Sequence, residues 1–197
     1  MNKTLPSMES IKELAPSKVA FFAGSFNPPH MGHLRIAEKI LAEYTDYFVF
    51  CPHSFNPRKK NRLAPLEHRR NLLSLLSEDS PLSEKILLCP ENYDLGVQSI
   101  EFAKISEDLE SSKISTFIVC GSDSFDYGYN TDIGHISHII VQRNSTSGNY
   151  PMYLTGNYKI IPEISRDSSV FIRAILSQGG KHPVPKVDEY IKEQNLY

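Results

Sequence analysis

Long apolar runs are missing from this chain. No stretch approaches the roughly 20 residues that a membrane-spanning helix needs, and Met1-Asn2-Lys3-Thr4-Leu5-Pro6 carries no secretory apolar core. Cysteine is scarce: Cys51, Cys89 and Cys120 are an odd number, widely spaced, with no Cys-x-x-Cys. That speaks against a zinc knuckle or a disulfide framework and for three reduced, mostly buried thiols in a cytoplasmic protein. Charge of neither sign dominates, with 21 Lys and Arg against 23 Asp and Glu, so there is no global basic footprint for nucleic acid. No Gly-x-Gly-x-x-Gly follows the first apolar run, which excludes a dehydrogenase-type dinucleotide binder. Repeats and low-complexity segments are absent as well. The 40% of hydrophobic residues is that of an ordinary globular chain with a substantial core.

What is present concentrates in one segment. Lys18-Val19-Ala20-Phe21-Phe22-Ala23 reads as a buried parallel strand. Gly24-Ser25-Phe26-Asn27-Pro28-Pro29-His30-Met31-Gly32-His33-Leu34 then leads into apolar residues at helical spacing. A strand, a tight Gly/Pro loop and a helix N-terminus together make an anion site, because first-turn amides point outward and the helix dipole adds positive potential. His30 and His33, three apart, share one face of the first turn. A junction of this kind is commonly only structural, and prolines there can simply pre-set the helix start. Gly32 tips the balance: inside a helix it costs about 1 kcal/mol relative to Ala, a cost that points to close backbone approach.

Further along, strands are expected at 19–23, 47–51, 85–89, 115–120, 138–141 and 158–161. Helices are expected at 33–44, 65–77, 97–109, 169–178 and 184–193. This alternation predicts an α/β fold, a doubly wound, mostly parallel Rossmann-like sheet with a small C-terminal helical part from about 165 to 197. Residues 1–17 read as a polar leader with one helical turn around Ile11 to Leu14, and 18–197 as one domain. Ligands of such sheets bind beyond the carboxyl ends of the strands. That places the loops at 24–30, 52–64, 90–96 and 121–134 on the active face, and with them the basic run Arg58-Lys59-Lys60-Asn61-Arg62.

Gly24-Ser25-Phe26-Asn27-Pro28 with His30-x-Gly32-His33-Leu34 resembles the signature of the HxGH nucleotidyltransferase superfamily. Three further matches are similar to its nicotinate mononucleotide adenylyltransferases. One is Asn56-Pro57-Arg58-Lys59 leading into Leu63-Ala64-Pro65-Leu66-Glu67-His68-Arg69. Another is Phe117-Ile118-Val119-Cys120-Gly121-Ser122-Asp123, and the third is Ser168-Ser169-Val170-Phe171-Ile172-Arg173. The tail from Gly179 to Ile191 also follows the family's closing helix pattern. The chain departs from the pattern at Asn27 for Asp, Arg58 for His and Val170 for Thr. It also departs in the segment Leu95-Gly96-Val97-Gln98-Ser99 and in the complete absence of tryptophan, where the family stacks one on the pyridine ring.

The resemblance implies an enzyme of NAD biosynthesis that transfers the adenylyl group of ATP to nicotinate mononucleotide, releasing pyrophosphate. It implies His30, His33 and Arg173 as catalytic residues and Gly24, Ser25, Phe26, Gly32, Ser168 and Ser169 as the ATP site. The acceptor would meet Asn27, Lys59 and Asp123, with Tyr127 in place of the missing tryptophan. Mg²⁺ accompanies ATP, with no protein metal cage expected. The partners are ATP and a pyridine mononucleotide, with neither nucleic acid nor membrane; a homo-oligomer stays open. Two alternatives remain at this point. One is the same chemistry on nicotinamide mononucleotide or another phosphate acceptor; the other is a catalytically weakened nucleotide-binding or sensing protein.

Overall fold

The computed structural model describes residues 4–54, 63–91, 99–123, 137–143 and 158–197. These residues form six strands: β1 (Lys18–Gly24), β2 (Tyr47–Pro52), β3 (Ile86–Leu88), β4 (Ser115–Gly121), β5 (Ser137–Val141) and β6 (Tyr158–Ile161). All pair in parallel, in the order β3-β2-β1-β4-β5-β6. The order reverses between β1 and β4, so the doubly wound expectation is met and a crevice opens beyond the carboxyl ends of those two strands.

Alternation along the strands explains why both faces are covered. Ala20 and Phe22, Phe48 and Phe50, Ile86 and Leu88, Val119, and Ile139 and Val141 enter one apolar cluster. Their neighbours Val19 and Phe21, Val49 and Cys51, and Ile118 enter the other. Successive side chains of a strand point to opposite faces, so near-continuous apolar runs require helices on both sides. The first face receives Leu34, Ala37 and Ile40 of α2 (Met31–Glu43), Leu72, Leu73 and Leu76 of α3 (Leu66–Glu78), and Val187 and Ile191 of α6 (Pro185–Glu193). The second receives Phe102, Ile105 and Leu109 of α4 (Ser99–Ser111) and Ile11 of the short α1 (Ser10–Glu13). Each fully buried Phe or Leu side chain contributes about 1.5–3 kcal/mol. The remaining helix, α5 (Ser169–Ser177), buries Ile172.

Boundaries differ from expectation where local chemistry intervenes. α2 begins at Met31, two residues early, because His30 adopts the extended conformation of an N-cap (φ −149°). β3 is shortened because Ser83–Lys85 form a 3₁₀ turn. The segment read as a polar leader lies against the sheet. Leu5, Met8 and Ile11 are buried in the second cluster, and the Leu5 N–H donates to the Leu88 carbonyl (2.9 Å). Its apolar residues recur every three positions, so one stripe of an otherwise polar segment is apolar. Among the described residues no helix is long and apolar enough to cross a membrane.

Candidate active site

Beyond β1 the chain turns sharply. A Cβ on Gly24 would lie 2.9 Å from Phe26 Cζ, because the Phe26 ring folds back over that residue. Phe26 itself sits at φ +44°, a left-handed conformation uncommon for an aromatic residue. Its ring is held edge-on to Phe22 (5.3 Å), Phe50 (5.3 Å) and His33 (5.0 Å). Phe26 is buried and acts as the anchor of the loop, with the Ser25 carbonyl fixed by Arg69.

Arg69 was not anticipated as part of this site. It is fully buried, and its guanidinium donates to the carbonyls of Ser25 (2.8 Å), His53 (2.7 Å) and Ala64 (2.8 Å). The following carbonyls of the loop are taken as well. Asn27 O accepts from Arg173, Pro28 O from the Ser169 hydroxyl (2.8 Å) and Pro29 O from His182 Nε2 (3.0 Å). The tautomer of His182 follows from its other nitrogen, which accepts the Val184 N–H (3.1 Å), so Nε2 carries the proton. These loop acceptors are therefore satisfied within the protein. Asn27 is buried, and its Oδ1 accepts from the Ala64 N–H (2.9 Å) and the Tyr197 hydroxyl (2.8 Å).

The two histidines stack at the start of α2, ring centroids 3.7 Å apart and planes inclined by 30°. His33 Nδ1 accepts the His30 N–H (3.1 Å). That nitrogen is therefore unprotonated, and Nε2 carries the ring's proton. His30 is 3% exposed, and its Nδ1 is buried with no hydrogen-bond partner among the described residues. Burial pushes its pKa down to about 4; Arg143 and His182 act in the same direction and Asp167 opposes them. At neutral pH His30 is thus uncharged, and its ring stacks on His33 beside a helix N-terminus. Gly32 makes the stack fit: a Cβ there would stand 3.0 Å from His30 Nδ1 and 3.2 Å from Ser165 Cβ.

The N-terminus of α5 is joined to the same loop. Ser168 caps it by accepting the Phe171 N–H (3.1 Å). Ser169 and Arg173 reach back to Pro28 and Asn27. Two helix N-termini, those of α2 and α5, are therefore tied together through residues 27–30, each with outward amides and a positive dipole end. Val170, where the resemblance has a threonine, is 68% exposed.

Across the crevice, Asp123 follows the end of β4. Its Oδ1 lies 3.5 Å from Arg143 Nε, and the Arg143 N–H donates to Ser122 Oγ (2.9 Å). Arg143 follows β5 on the ligand side of the sheet and, like Arg69, was not singled out from sequence. Gly24, Ser25, Phe26, Asn27, His30, Gly32, His33, Ser168, Ser169 and Arg173 thus converge on one loop, with Asp123 across the crevice. Lys59 and Tyr127 lie outside the described residues. Burial pushes the thiol pKa of Cys120 up to about 12 and raises that of Cys51, so neither serves as a nucleophile. Among the described residues no group of three or more His, Cys, Asp or Glu side chains could hold a metal ion.

The chain matches the cytidylyltransferase-like family over residues 21–175. Its fold is shared by a Plasmodium falciparum nicotinic acid mononucleotide adenylyltransferase complexed with NaAD. The two are 18% identical with a TM-score of 0.74, over 91% of this chain and 97% of that one. The same Plasmodium falciparum enzyme complexed with APC gives 17%, 0.72, 91% and 96%. A putative nicotinate-nucleotide adenylyltransferase from Vibrio parahaemolyticus gives 20%, 0.63, 91% and 94%.

Proposed function

The chain belongs to the cytidylyltransferase-like family, and from that premise we propose that it transfers the adenylyl group of ATP to nicotinate mononucleotide. The products are nicotinate adenine dinucleotide and pyrophosphate. One observation carries this most: a stacked histidine pair at the start of α2, bound through the Asn27 and Pro28 carbonyls to the capped N-terminus of α5. That is a cradle for a polyphosphate. Relatives of the same fold whose names state this activity support the choice of acceptor.

An oxygen of the acceptor's 5′-phosphate attacks the α-phosphorus of ATP in line. The new P–O bond forms as the bond from Pα to the bridging oxygen breaks, and that electron pair leaves with pyrophosphate. No covalent enzyme intermediate is required, so the protein positions the groups and stabilises charge. His33 Nε2–H donates to the oxygens that gain charge. His30 offers its buried, otherwise unpartnered Nδ1 edge as the second group on that side. Arg173 and the first turn of α5, at Ser168 and Ser169, hold the triphosphate, while Gly24, Ser25, Phe26 and Gly32 shape the loop against it. Asp123, with Lys59 and Tyr127, would meet the acceptor mononucleotide; Asn27 supports that side from beneath. Mg²⁺ enters as part of the ATP substrate. The groups gathered on the loop are N–H, hydroxyl and guanidinium donors, suited to phosphate oxygens, and Asp123 across the crevice is not joined by a cluster of further His, Cys, Asp or Glu among the described residues, so phosphate and water would ligate the ion. A single catalytic unit over 18–197, located in the cytoplasm and acting on small molecules, completes the proposal.

Pyrophosphate release tests it. Purified protein with ATP and Mg²⁺ should release pyrophosphate when nicotinate mononucleotide is added and less with nicotinamide mononucleotide. Release with phosphopantetheine alone would move the protein to another acceptor. Binding of ATP without release on any acceptor would favour a sensing role.

A further inference from the structure

Residues 194–197 return to the loop that carries the histidines. After α6 the chain passes through Asn195 at φ +49°, the Leu196 N–H donates to Ile191 O (2.9 Å), and Leu196 and Tyr197 pack against the main apolar cluster. The Tyr197 hydroxyl donates to Asn27 Oδ1 (2.8 Å), which also receives the Ala64 N–H (2.9 Å). Both acceptor positions of that oxygen are filled. Asn27 is 2% exposed, so rotating its amide would strand buried donors. The carbonyl of the same residue holds Arg173 Nη1. A single residue therefore separates the phenol from the guanidinium assigned to the triphosphate.

We infer that Tyr197 is a positioning residue of the nucleotide site: its hydroxyl fixes Asn27, and Asn27 fixes Arg173 in the pose that meets ATP. This rests on the adenylyl-transfer reading. An arginine side chain loses considerable rotamer freedom on binding, and holding it beforehand reduces that loss. Burial pushes the phenol pKa well up, against the nearby charges of Arg69 and Arg173, so the hydroxyl stays a donor and takes no part in proton transfer.

Tyr197→Phe keeps the packed ring and removes the donor. Calorimetric titration with ATP and Mg²⁺, without acceptor, should show Kd raised about 3- to 10-fold. The KM for the mononucleotide should stay within twofold. In an Arg173→Ala background the same substitution should leave ATP affinity unchanged, because the hydroxyl acts through Arg173. A purely structural role would lower the melting temperature in both backgrounds without this selectivity. Unchanged ATP affinity in Tyr197→Phe, or an equal loss with and without Arg173, overturns the inference alone. A wild-type protein that does not bind ATP overturns the nucleotide reading together with it.

Discussion

His30 makes stability depend on pH in a window set by one ring. Its pKa falls from an ordinary 6.5 to about 4 in the folded protein, chiefly through burial. Below pH 6.5 the unfolded chain binds a proton there that the folded chain does not. Stability is therefore full above 6.5 and declines as pH falls toward 4. Integrating the linkage, this residue alone lowers stability by about 2 kcal/mol at pH 5 and by about 3 kcal/mol at pH 4. His182, whose pKa burial also lowers, acts with the same sign. Carboxylates titrate in the lower part of the range, so His30→Gln serves as the reference that cancels them. Urea unfolding of both proteins at pH 7.5 and pH 5.0 provides the comparison. The wild type should lose about 2 kcal/mol more than His30→Gln between the two pH values. Equal losses would mean that His30 takes up its proton in the native state as readily as in the unfolded chain, and a neutral His30 in the stack would have to be abandoned.

His33→Asn should reduce turnover by about 10²- to 10⁴-fold. Because the ring packs on Phe22 and Phe26 and accepts the His30 N–H, it should also lower stability by about 1–3 kcal/mol; rate assays and urea melts read the two separately. Arg173→Ala should weaken ATP binding about 10- to 100-fold and mononucleotide binding much less; equal effects on both would remove it from the triphosphate. Gly32→Ala places a methyl group 3.0 Å from His30 Nδ1. Turnover should fall at least about tenfold, while the helix-propensity gain of about 1 kcal/mol offsets the crowding in the stability measured by melting.

Much of the fold could be read from periodicity, because β1, β2 and β4 are continuous apolar runs buried on both faces. The loop histidines were legible because a glycine between them in a helix demands a reason, and the structure supplies one in the 3.0 Å clearance to His30. What holds that loop was not legible. Arg69 lies 44 residues from Ser25, and His182 and Tyr197 lie 153 and 170 residues from Pro29 and Asn27. Contacts of that range leave no local pattern. Arg143 was hidden for a different reason: a single arginine after a strand carries no motif, and only its pairing with Asp123 sets it apart. The buried stripe Leu5, Met8 and Ile11 was masked by the polar residues around it, too short a run for its threefold spacing to stand out.

Which bond of ATP breaks tests the central claim most directly. The protein should be incubated with Mg²⁺, nicotinate mononucleotide and ATP labelled separately at the α- or the γ-phosphorus. The α-label should appear in a dinucleotide and the γ-label in pyrophosphate, both about 10²- to 10⁴-fold more slowly in His33→Asn. Label from the γ-position on the mononucleotide, or α-label released only as AMP, would contradict adenylyl transfer.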